Sequence, residues 1–244
     1  MIQRDAFLES ILDRPAYKIN KFTEPVDLKL LQDKNYIKKG SFFYTKIGCS
    51  SVFTLSVFEN SGFKIIEENI TLEKKRVDSK LHESFKRRQQ YKIRWAQDED
   101  RNLVEDIALK NFSHDRFHQD PNIDNSLADE IKRQWAGNFF LGKRGDAMVV
   151  ATANNHPVAF MLLIFPQKLS VIDLIAVSKE HRKKGLSKQM IRYAMRNLSD
   201  HRRWLVGTQS TNIPSVKLYE SLGFQTTSSQ YVLHKHSLQN SLNS

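Results

Sequence analysis

The chain has 244 residues, 40% hydrophobic and 27% charged, so it is long enough for one large or two small globular domains. Its single cysteine, Cys49, excludes an intramolecular disulfide and suits a reducing compartment. The net charge of +11 favours anionic partners, but the sequence has no zinc-finger spacing, no Gly-rich RNA-binding signature and no obvious recognition helix.

The first residues and the apolar runs predict neither a signal peptide nor a membrane span. Arg4, Asp5 and Glu9 interrupt the apolar core that a signal peptide needs. The longest apolar run, Val158–Phe165, is far too short to cross a bilayer and is typical of a buried strand. We therefore expect a soluble, cytoplasmic protein.

The N-terminal part is predicted to form a smaller half over residues 1–76. Strands are expected at Phe42–Ile47 and Ile65–Leu72, with a helical turn between Leu55 and Asn60. Residues 77–90 are rich in lysine and arginine, and we predict a basic linker there. This linker is either a solvated connector or a source of attraction for phosphate-bearing ligands.

Residues 91–236 are predicted to form one α/β domain, followed by a tail over residues 237–244. Apolar periodicity and turn residues predict one strand, two helices, three strands, and then helix, strand, helix and strand. The predicted elements are Tyr91–Gln97, a helix with Leu103, Ile107 and Ala108, Leu127–Ala136, a hairpin around Asn154–Pro157, Ser170–Val177, Gly185–Leu198, Trp204–Gln209, Pro214–Leu222 and Gln230–Lys235. This order predicts a mixed α/β fold.

One stretch of sequence occurs twice. Without any gap, Val57–Lys74 (VFENSGFKIIEENITLEK) aligns with Leu218–Lys235 (LYESLGFQTTSSQYVLHK). Both copies predict a helix, a Gly-Phe corner and a strand, with the glycine left-handed and the phenylalanine in the core. Either the two halves are related, or the similarity is chance over one short unit. Phe58 stands in the first copy where Tyr219 stands in the second.

The segment Ile172–Gln189 (IDLIAVSKEHRKKGLSKQ) combines a buried strand, a polar loop and a helix that opens at Gly185. The pattern Arg182-x-x-Gly185-x-Ser187 places small residues where backbone can approach a ligand closely. Free amides at a helix N-terminus, aided by the helix dipole, suit a diphosphate. An ordinary strand–loop–helix connection with surface lysines is the alternative.

This segment, followed by Trp204–Gln209 and Asn212–Phe224 (NIPSVKLYESLGF), resembles the GCN5-related N-acetyltransferase (GNAT) superfamily. The superfamily signature is Gln/Arg-x-x-Gly-x-Gly/Ala after a strand ending in Leu/Ile-Ala-Val, and here Ser187 replaces the last Gly/Ala. The resemblance covers about residues 91–235. It implies an acetyl-CoA-binding fold in which the strand bonds the pantetheine arm and the loop amides hold the pyrophosphate. The cofactor-binding residues it implies are Ile175, Ala176, Val177, Arg182, Lys183, Lys184, Gly185, Leu186, Ser187, Lys188, Asn212 and Lys217.

The stretch FSHDRFHQDPNI (112–123), followed by a helix with Trp135 and the hairpin, resembles the TDP-fucosamine acetyltransferase group of that superfamily. Those enzymes N-acetylate a 4-amino-4,6-dideoxy sugar on a nucleotide carrier for surface polysaccharides. They also carry a smaller, degenerate GNAT-like N-terminal half, which would account for the repeated stretch. The substrate-binding residues that we predict from this resemblance are His114, Arg116 and Phe117. The Arg116 guanidinium suits the diphosphate of a sugar nucleotide.

Acetyl transfer needs an acid that protonates the departing thiolate, and the family motif places Tyr219 in that role. The alternative is that Tyr219 fills the core like Phe58. A backbone N–H near Ala176 or Val177 would polarise the thioester oxygen. Asp173 is the candidate base, acting through water, with a strand-edge carboxylate of no catalytic role as the alternative.

The sequence thus predicts an acetyl-CoA-dependent N-acetyltransferase that acts on a nucleotide-linked amino-deoxy sugar. The same fold acetylating a peptide, amino acid or polyamine is the main rival. A coenzyme A sensor or a basic nucleic-acid-binding module is the rival from outside enzymes. We expect no metal, no nucleic acid partner and no membrane span, and a homodimer is one outcome that the sequence leaves open.

Overall fold

The computed structural model describes residues 2–20, 40–75, 90–167 and 169–237. The described parts of Met1–Ile70, His114–Ala128 and Ser228–Ser244 form one compact unit, here unit 1. Those of Thr71–Ser113 and Asp129–Thr227 form the other, unit 2. Except for Gln90, the predicted linker lies outside the described residues, and so does the predicted tail except for Ser237.

Unit 1 contains short elements at its start and a repeated helix–strand corner. The elements are β1 Ile2–Arg4, α1 Ala6–Leu12, β2 Ala16–Ile19, β3 Phe42–Gly48, α2 Val52–Asn60 and the first part of β4 Lys64–Lys75, joined by the last part of β10 Gln225–His236. The strands run in the order β1, β2, β3, β10 and β4, with β2 and β3 parallel and β3 and β10 antiparallel.

The elements of unit 2 are β5 Lys92–Trp95, α3 Arg101–Asn111, most of α4 Asn125–Gly137, β6 Ala147–Ala153, β7 His156–Ile164, β8 Leu169–Val177, α5 Leu186–Asn197, β9 Arg203–Gln209 and α6 Ile213–Glu220, with 3-10 turns at Asp98–Asp100 and Lys179–His181. In sheet order its strands are β4, β9, β8, β7, β6 and β5. Strands β5 to β8 pair antiparallel, and β9 runs parallel to β8.

Each unit has its own apolar core. In unit 2, α3 packs with β6, β7 and β8 in one cluster, because β6 and β7 are buried along nearly their whole length and β8 buries every second residue. In unit 1, a second cluster joins β3, α2 and β10 through Phe43, Phe58, Phe63 and Leu233. The predicted mixed α/β fold is confirmed. Among the described residues, no helix combines the length and apolar composition needed to cross a membrane.

The repeated stretch forms the same corner twice. Gly62 and Gly223 follow α2 and α6 with φ values of +85° and +82°, in the left-handed region that favours glycine. The amide of Phe63 bonds the carbonyl of Phe58 at 3.1 Å, and the amide of Phe224 bonds the carbonyl of Tyr219 at 3.1 Å. The Gly-Phe corner predicted from the alignment is therefore present in both units.

The strand that follows each Gly-Phe corner ends in the unit that contains the other corner. In unit 1 the Lys235 Cε atom lies 3.8 Å from the point where Gly62 would carry a Cβ. In unit 2 the matched residue of the other copy, Lys74, lies 3.5 Å from the same point on Gly223 and donates to the Leu222 carbonyl. Because β4 and β10 each end in the unit that did not begin them, the units differ from the predicted boundaries at 76 and 91.

Candidate active site

A β-bulge in β8 opens the candidate site in unit 2. Leu162 of β7 pairs with Leu174 and Leu163 pairs with Ile172, so Asp173 is the extra residue of β8. On the other edge, β8 and β9 pair from Leu169–Arg203 only as far as Ile172–Val206, although both strands continue. A bulge bends its strand, and here the two parallel strands are no longer paired beyond it. We call the unpaired edge of β8, residues 173–177, the notch.

The notch presents backbone groups to a ligand. Ser178 donates its amide to the Val158 carbonyl of β7 at 2.9 Å. Because hydrogen-bonding groups alternate sides along a strand, the amides of Ile175 and Val177 point away from β7 and the amide of Ala176 points toward it. Of the two amides considered for the thioester oxygen, the geometry favours Val177. The Val177 carbonyl already accepts from Arg182 Nε at 3.2 Å.

The loop after the notch ends in a helix with free amides. Gly185 caps α5 with a φ of +75°, and Lys183 is also left-handed at +59°. The first intrahelical bond is from the Gln189 amide to the Gly185 carbonyl at 3.1 Å. Among the described residues, no acceptor is found for the amides of Leu186, Ser187 and Lys188. Three unpaired amides at a helix N-terminus are a fitting seat for a pyrophosphate.

Charged side chains around this loop are held by neighbouring carbonyls. Arg182 also donates to the Asn111 side-chain oxygen at 3.0 Å, which ties the loop to the end of α3. Lys184 donates to the Glu180 carbonyl at 3.0 Å. The Lys183 side chain is exposed, and that of Lys188 is half-buried. These arginine and lysine side chains place positive charge around the free amides.

Tyr219 lies in α6, directly after β9 along the chain. It is 2% exposed, and its ring lies 5.7 Å from that of Phe224. Burial raises the pKa of the Tyr219 phenol above its ordinary value, so the group stays protonated at neutral pH. Within the described part of the chain, the hydroxyl has no hydrogen-bond partner. The hydroxyl is thus available to donate a hydrogen bond to a ligand.

Two other predicted cofactor-binding residues, Asn212 and Lys217, precede Tyr219 at the start of α6 and within it. Asn212 is the N-cap of α6, where its side chain accepts from the Ser215 amide at 3.4 Å. Lys217 is exposed in the last turn. Capping by Asn212 thus fixes where α6 begins, and a contact of either side chain with a ligand stays a prediction.

The Asp173 carboxylate forms an ion pair with Arg144. Arg144 donates to both of its oxygens, at 2.7 and 2.8 Å, and the Trp135 indole donates at 2.9 Å. Both oxygens of this carboxylate are thus engaged by donors of the protein itself. The geometry does not favour the predicted base role, and it makes Asp173 the anchor of the bulge that opens the notch.

We expect Asp173→Asn and Arg144→Gln to impair acetyl transfer to similar extents, because each breaks the same charge-assisted pair. Each should also cost about 1.5–3 kcal/mol of unfolding free energy, the usual range for hydrogen bonds to charged groups. A double-mutant cycle should show that the combined variant is little worse than either single variant. Loss of an ionisation from the pH–rate profile in Asp173→Asn alone would instead restore the base role.

The predicted substrate residues lie in unit 1, and their surroundings there point to packing. Phe117 is fully buried. The half-buried Arg116 guanidinium lies between the rings of Tyr44 and Phe117, 4.0 and 4.3 Å from their centres, where burial lowers its pKa. His114 is exposed, and His118 bonds Asp115 at 2.7 Å. The geometry of Phe117 and Arg116 does not support the substrate role that the sequence predicts.

The structure also brings together residues that sequence reasoning missed. Arg144 and Trp135 hold Asp173, and no local pattern links these three positions. In unit 1, Asp120, His234 and His236 form a hydrogen-bonded cluster. The alternation His-x-His at the end of a strand was the available signal, since it places both imidazoles on one face.

Comparisons with known proteins bear on the family and the fold of this chain. A family model described as "Acetyltransferase (GNAT) family" matches residues 88–224. The spore coat polysaccharide biosynthesis protein SpsD of Bacillus subtilis (strain 168) is 26% identical over 137 residues, which are 55% of this chain and 47% of SpsD. The chain therefore spans about half the length of this curated relative.

Two solved structures share the fold over nearly the whole chain. A GCN5-related N-acetyltransferase from Sphaerobacter thermophilus has a TM-score of 0.67 at 11% identity and covers 98% of this chain and 76% of its own. A tandem GNAT protein from the clavulanic acid biosynthesis pathway has a TM-score of 0.63 at 10% identity, covering 93% and 77%. At these identities the likeness shows the fold alone.

Proposed function

Because the chain belongs to the acetyltransferase (GNAT) family, we propose that it transfers the acetyl group of acetyl-CoA to an amine. The observation that best supports this proposal is the notch. Among the described residues, β8 leaves the amides of Ile175 and Val177 unpaired there, and the helix that follows along the chain begins with three amides that have no acceptor. A pantetheine arm is an extended chain that contains amide groups, so it can form hydrogen bonds with the free edge of β8 as an added strand would.

Different groups of the site bind the cofactor, polarise the thioester and protonate the leaving thiolate. The amides of Leu186, Ser187 and Lys188 hold the pyrophosphate, and Lys183 and Lys184 attract it. The Val177 amide polarises the thioester carbonyl, which favours attack by a neutral amine. Tyr219 donates its phenolic proton to the sulfur of the departing thiolate. The general base stays unassigned, because Asp173 is held in its ion pair.

For the acceptor we propose the amino group of a nucleotide-linked amino-deoxy sugar. Three observations support this class over a peptide, amino acid or polyamine. The chain resembles acetyltransferases of amino sugars, and its curated relative SpsD is named for polysaccharide biosynthesis. The net charge of +11 also suits an acceptor with a diphosphate better than a cationic polyamine.

A ligand screen by thermal unfolding separates these acceptors. A ligand that binds only the folded state raises the unfolding temperature by mass action. We expect stabilisation by acetyl-CoA and, in its presence, by nucleotide-linked amino sugars but not by spermidine or a peptide amine. Stabilisation by duplex DNA alone would instead favour the nucleic-acid-binding alternative.

Neutralising Lys183 and Lys184 together should weaken acetyl-CoA binding mainly at low ionic strength. Both side chains act here through long-range attraction, which falls off over about 10 Å at 0.1 M salt. We expect on the order of a tenfold loss of affinity at low salt and a much smaller loss at high salt, measured by calorimetry. The control variant replaces the exposed Lys18 and Lys75, which lie outside the loop, and removes the same charge. A loss independent of salt would argue for direct contacts.

A further inference from the structure

Unit 1 contains a cavity of about 500 Å³ that the proposed acetyl transfer does not use. Its walls are strongly basic, since Arg14, Lys64, Lys235 and His236 line it and Asp120 is the one acidic residue among its described lining residues. Cavities with cationic walls concentrate anions, because low-dielectric surroundings strengthen the attraction. The lining thus favours a negatively charged ligand.

The single carboxylate in this wall is already compensated. Asp120 Oδ2 accepts from His234 Nδ1 at 2.6 Å and from His236 Nε2 at 2.7 Å, and Oδ1 accepts from the Asn122 amide at 2.9 Å. Burial alone would raise the pKa of Asp120, but these hydrogen bonds hold it well below its usual range. Asp120 therefore stays ionised, and its single negative charge is outnumbered by the cationic side chains of Arg14, Lys64 and Lys235 in the cavity lining.

Two lining residues have buried polar atoms without a partner among the described residues. They are Arg14 Nε and His236 Nδ1. Because the Asp120 carboxylate can only accept, His236 Nε2 carries the proton of that hydrogen bond. Buried polar groups in proteins are nearly always paired, so two unpaired atoms on residues that line one cavity show that its polar groups are incompletely satisfied.

A metal ion is the other ligand that Asp120, His234 and His236 suggest, since their ligand atoms lie within 4.8 Å of one another. The charges oppose it. His234 Nε2 faces the Arg116 guanidinium at 3.4 Å, and Arg14 also lies near enough to Asp120 to interact with its charge. A divalent cation here would meet two guanidinium groups and one carboxylate.

We propose that this cavity binds a phosphate or diphosphate group of a small molecule, with the Arg14 guanidinium donating to its oxygens and His236 lining the site. Lys64 and Lys235 supply further charge at the walls. Guanidinium groups bind phosphate oxygens through charge-assisted hydrogen bonds, which are about twice as strong as neutral ones. The proposal rests on unit 1 alone and does not require acetyl transfer.

The test uses the histidine ring resonances of the full-length protein, measured by NMR during titration with inorganic pyrophosphate. Comparison with His236→Gln assigns the His236 signal. We expect that signal to shift and saturate, and Arg14→Gln to weaken the binding at least tenfold, equivalent to about 1.4 kcal/mol. Lys18→Gln removes an equal charge from an exposed strand residue of unit 1 and should change the affinity less than twofold.

This readout is local, so pyrophosphate bound at the loop before α5 does not imitate it, and failure of acetyl transfer does not affect it. Should Arg14→Gln not fold, Lys64→Gln at an exposed position provides the second variant, with at least a threefold loss expected at low salt. An unshifted His236 signal at millimolar pyrophosphate, or equal binding by wild type and Arg14→Gln, would overturn the proposal. Saturable shifts with Zn²⁺ but none with pyrophosphate would replace it with a metal site.

Discussion

Tyr219→Phe is expected to lower the turnover number by on the order of a hundredfold or more, the lower end of what a positioned acid contributes. The substitution keeps the ring and its contact with Phe224 at 5.7 Å. Because the hydroxyl has no partner among the described residues, the unfolding free energy should stay unchanged or rise by about 1 kcal/mol. Steady-state kinetics with the amino-sugar acceptor give the turnover number, and calorimetry should show unchanged acetyl-CoA affinity.

The matched control lies in the other copy of the repeated stretch. Phe58 is 1% exposed and occupies the same position before its Gly-Phe corner as Tyr219 does before its own. Phe58→Tyr should leave turnover unchanged and lower the stability, because it buries a hydroxyl without a provided acceptor. Turnover of Tyr219→Phe at the wild-type rate would make this tyrosine a core residue like its counterpart.

Gly185→Val is expected to abolish measurable acetyl-CoA binding while leaving the fold in place. Space is not the obstacle within the protein, since the nearest atom to an added Cβ is Gln189 Nε2 at 3.9 Å. The φ of +75° is one that a β-branched residue avoids, so the turn that aims the free amides would have to rearrange. The added side chain would also fill the space where the pyrophosphate approaches the backbone.

Gly142→Val separates backbone strain from ligand contact. Gly142 is also left-handed, at +65°, and an added Cβ meets nothing within 4 Å. Both variants should therefore lose similar stability in denaturant unfolding, by about 1–3 kcal/mol, whereas only Gly185→Val should lose coenzyme A binding in calorimetry. Equal affinity in the two variants would remove the loop from the binding site.

The elements that the sequence predicted well are those with a local cause. The Gly-Phe corners need a left-handed residue and an apolar plug, and both are visible in six residues around Gly62 and Gly223. The strand before Gly185 and the helix after it follow from apolar periodicity alone. By contrast, β1, α1 and β2 were not predicted, because each is short and its pattern is set by its neighbours.

The features that escaped prediction depend on residues far apart in the chain. The bulge at Asp173 arises from the pairing of β8 with β7, and Arg144 approaches it across 29 positions. Asp120 meets His234 across 114 positions, in a unit that the sequence assigned to the N-terminal half alone. The exchange of strand ends is set by tertiary pairing, which no local propensity reports.

The most direct test of the account is mass spectrometry of a nucleotide-linked amino-deoxy sugar after incubation with acetyl-CoA and the purified protein. We expect the sugar to gain one acetyl group on its amine and coenzyme A thiol to appear in equal amount. We also expect Tyr219→Phe and Gly185→Val both to suppress the product. Acetylation of a peptide or polyamine in place of the sugar would contradict the proposed acceptor. The absence of acetyl-CoA binding and of product with every amine tested would contradict the proposed acetyl transfer itself.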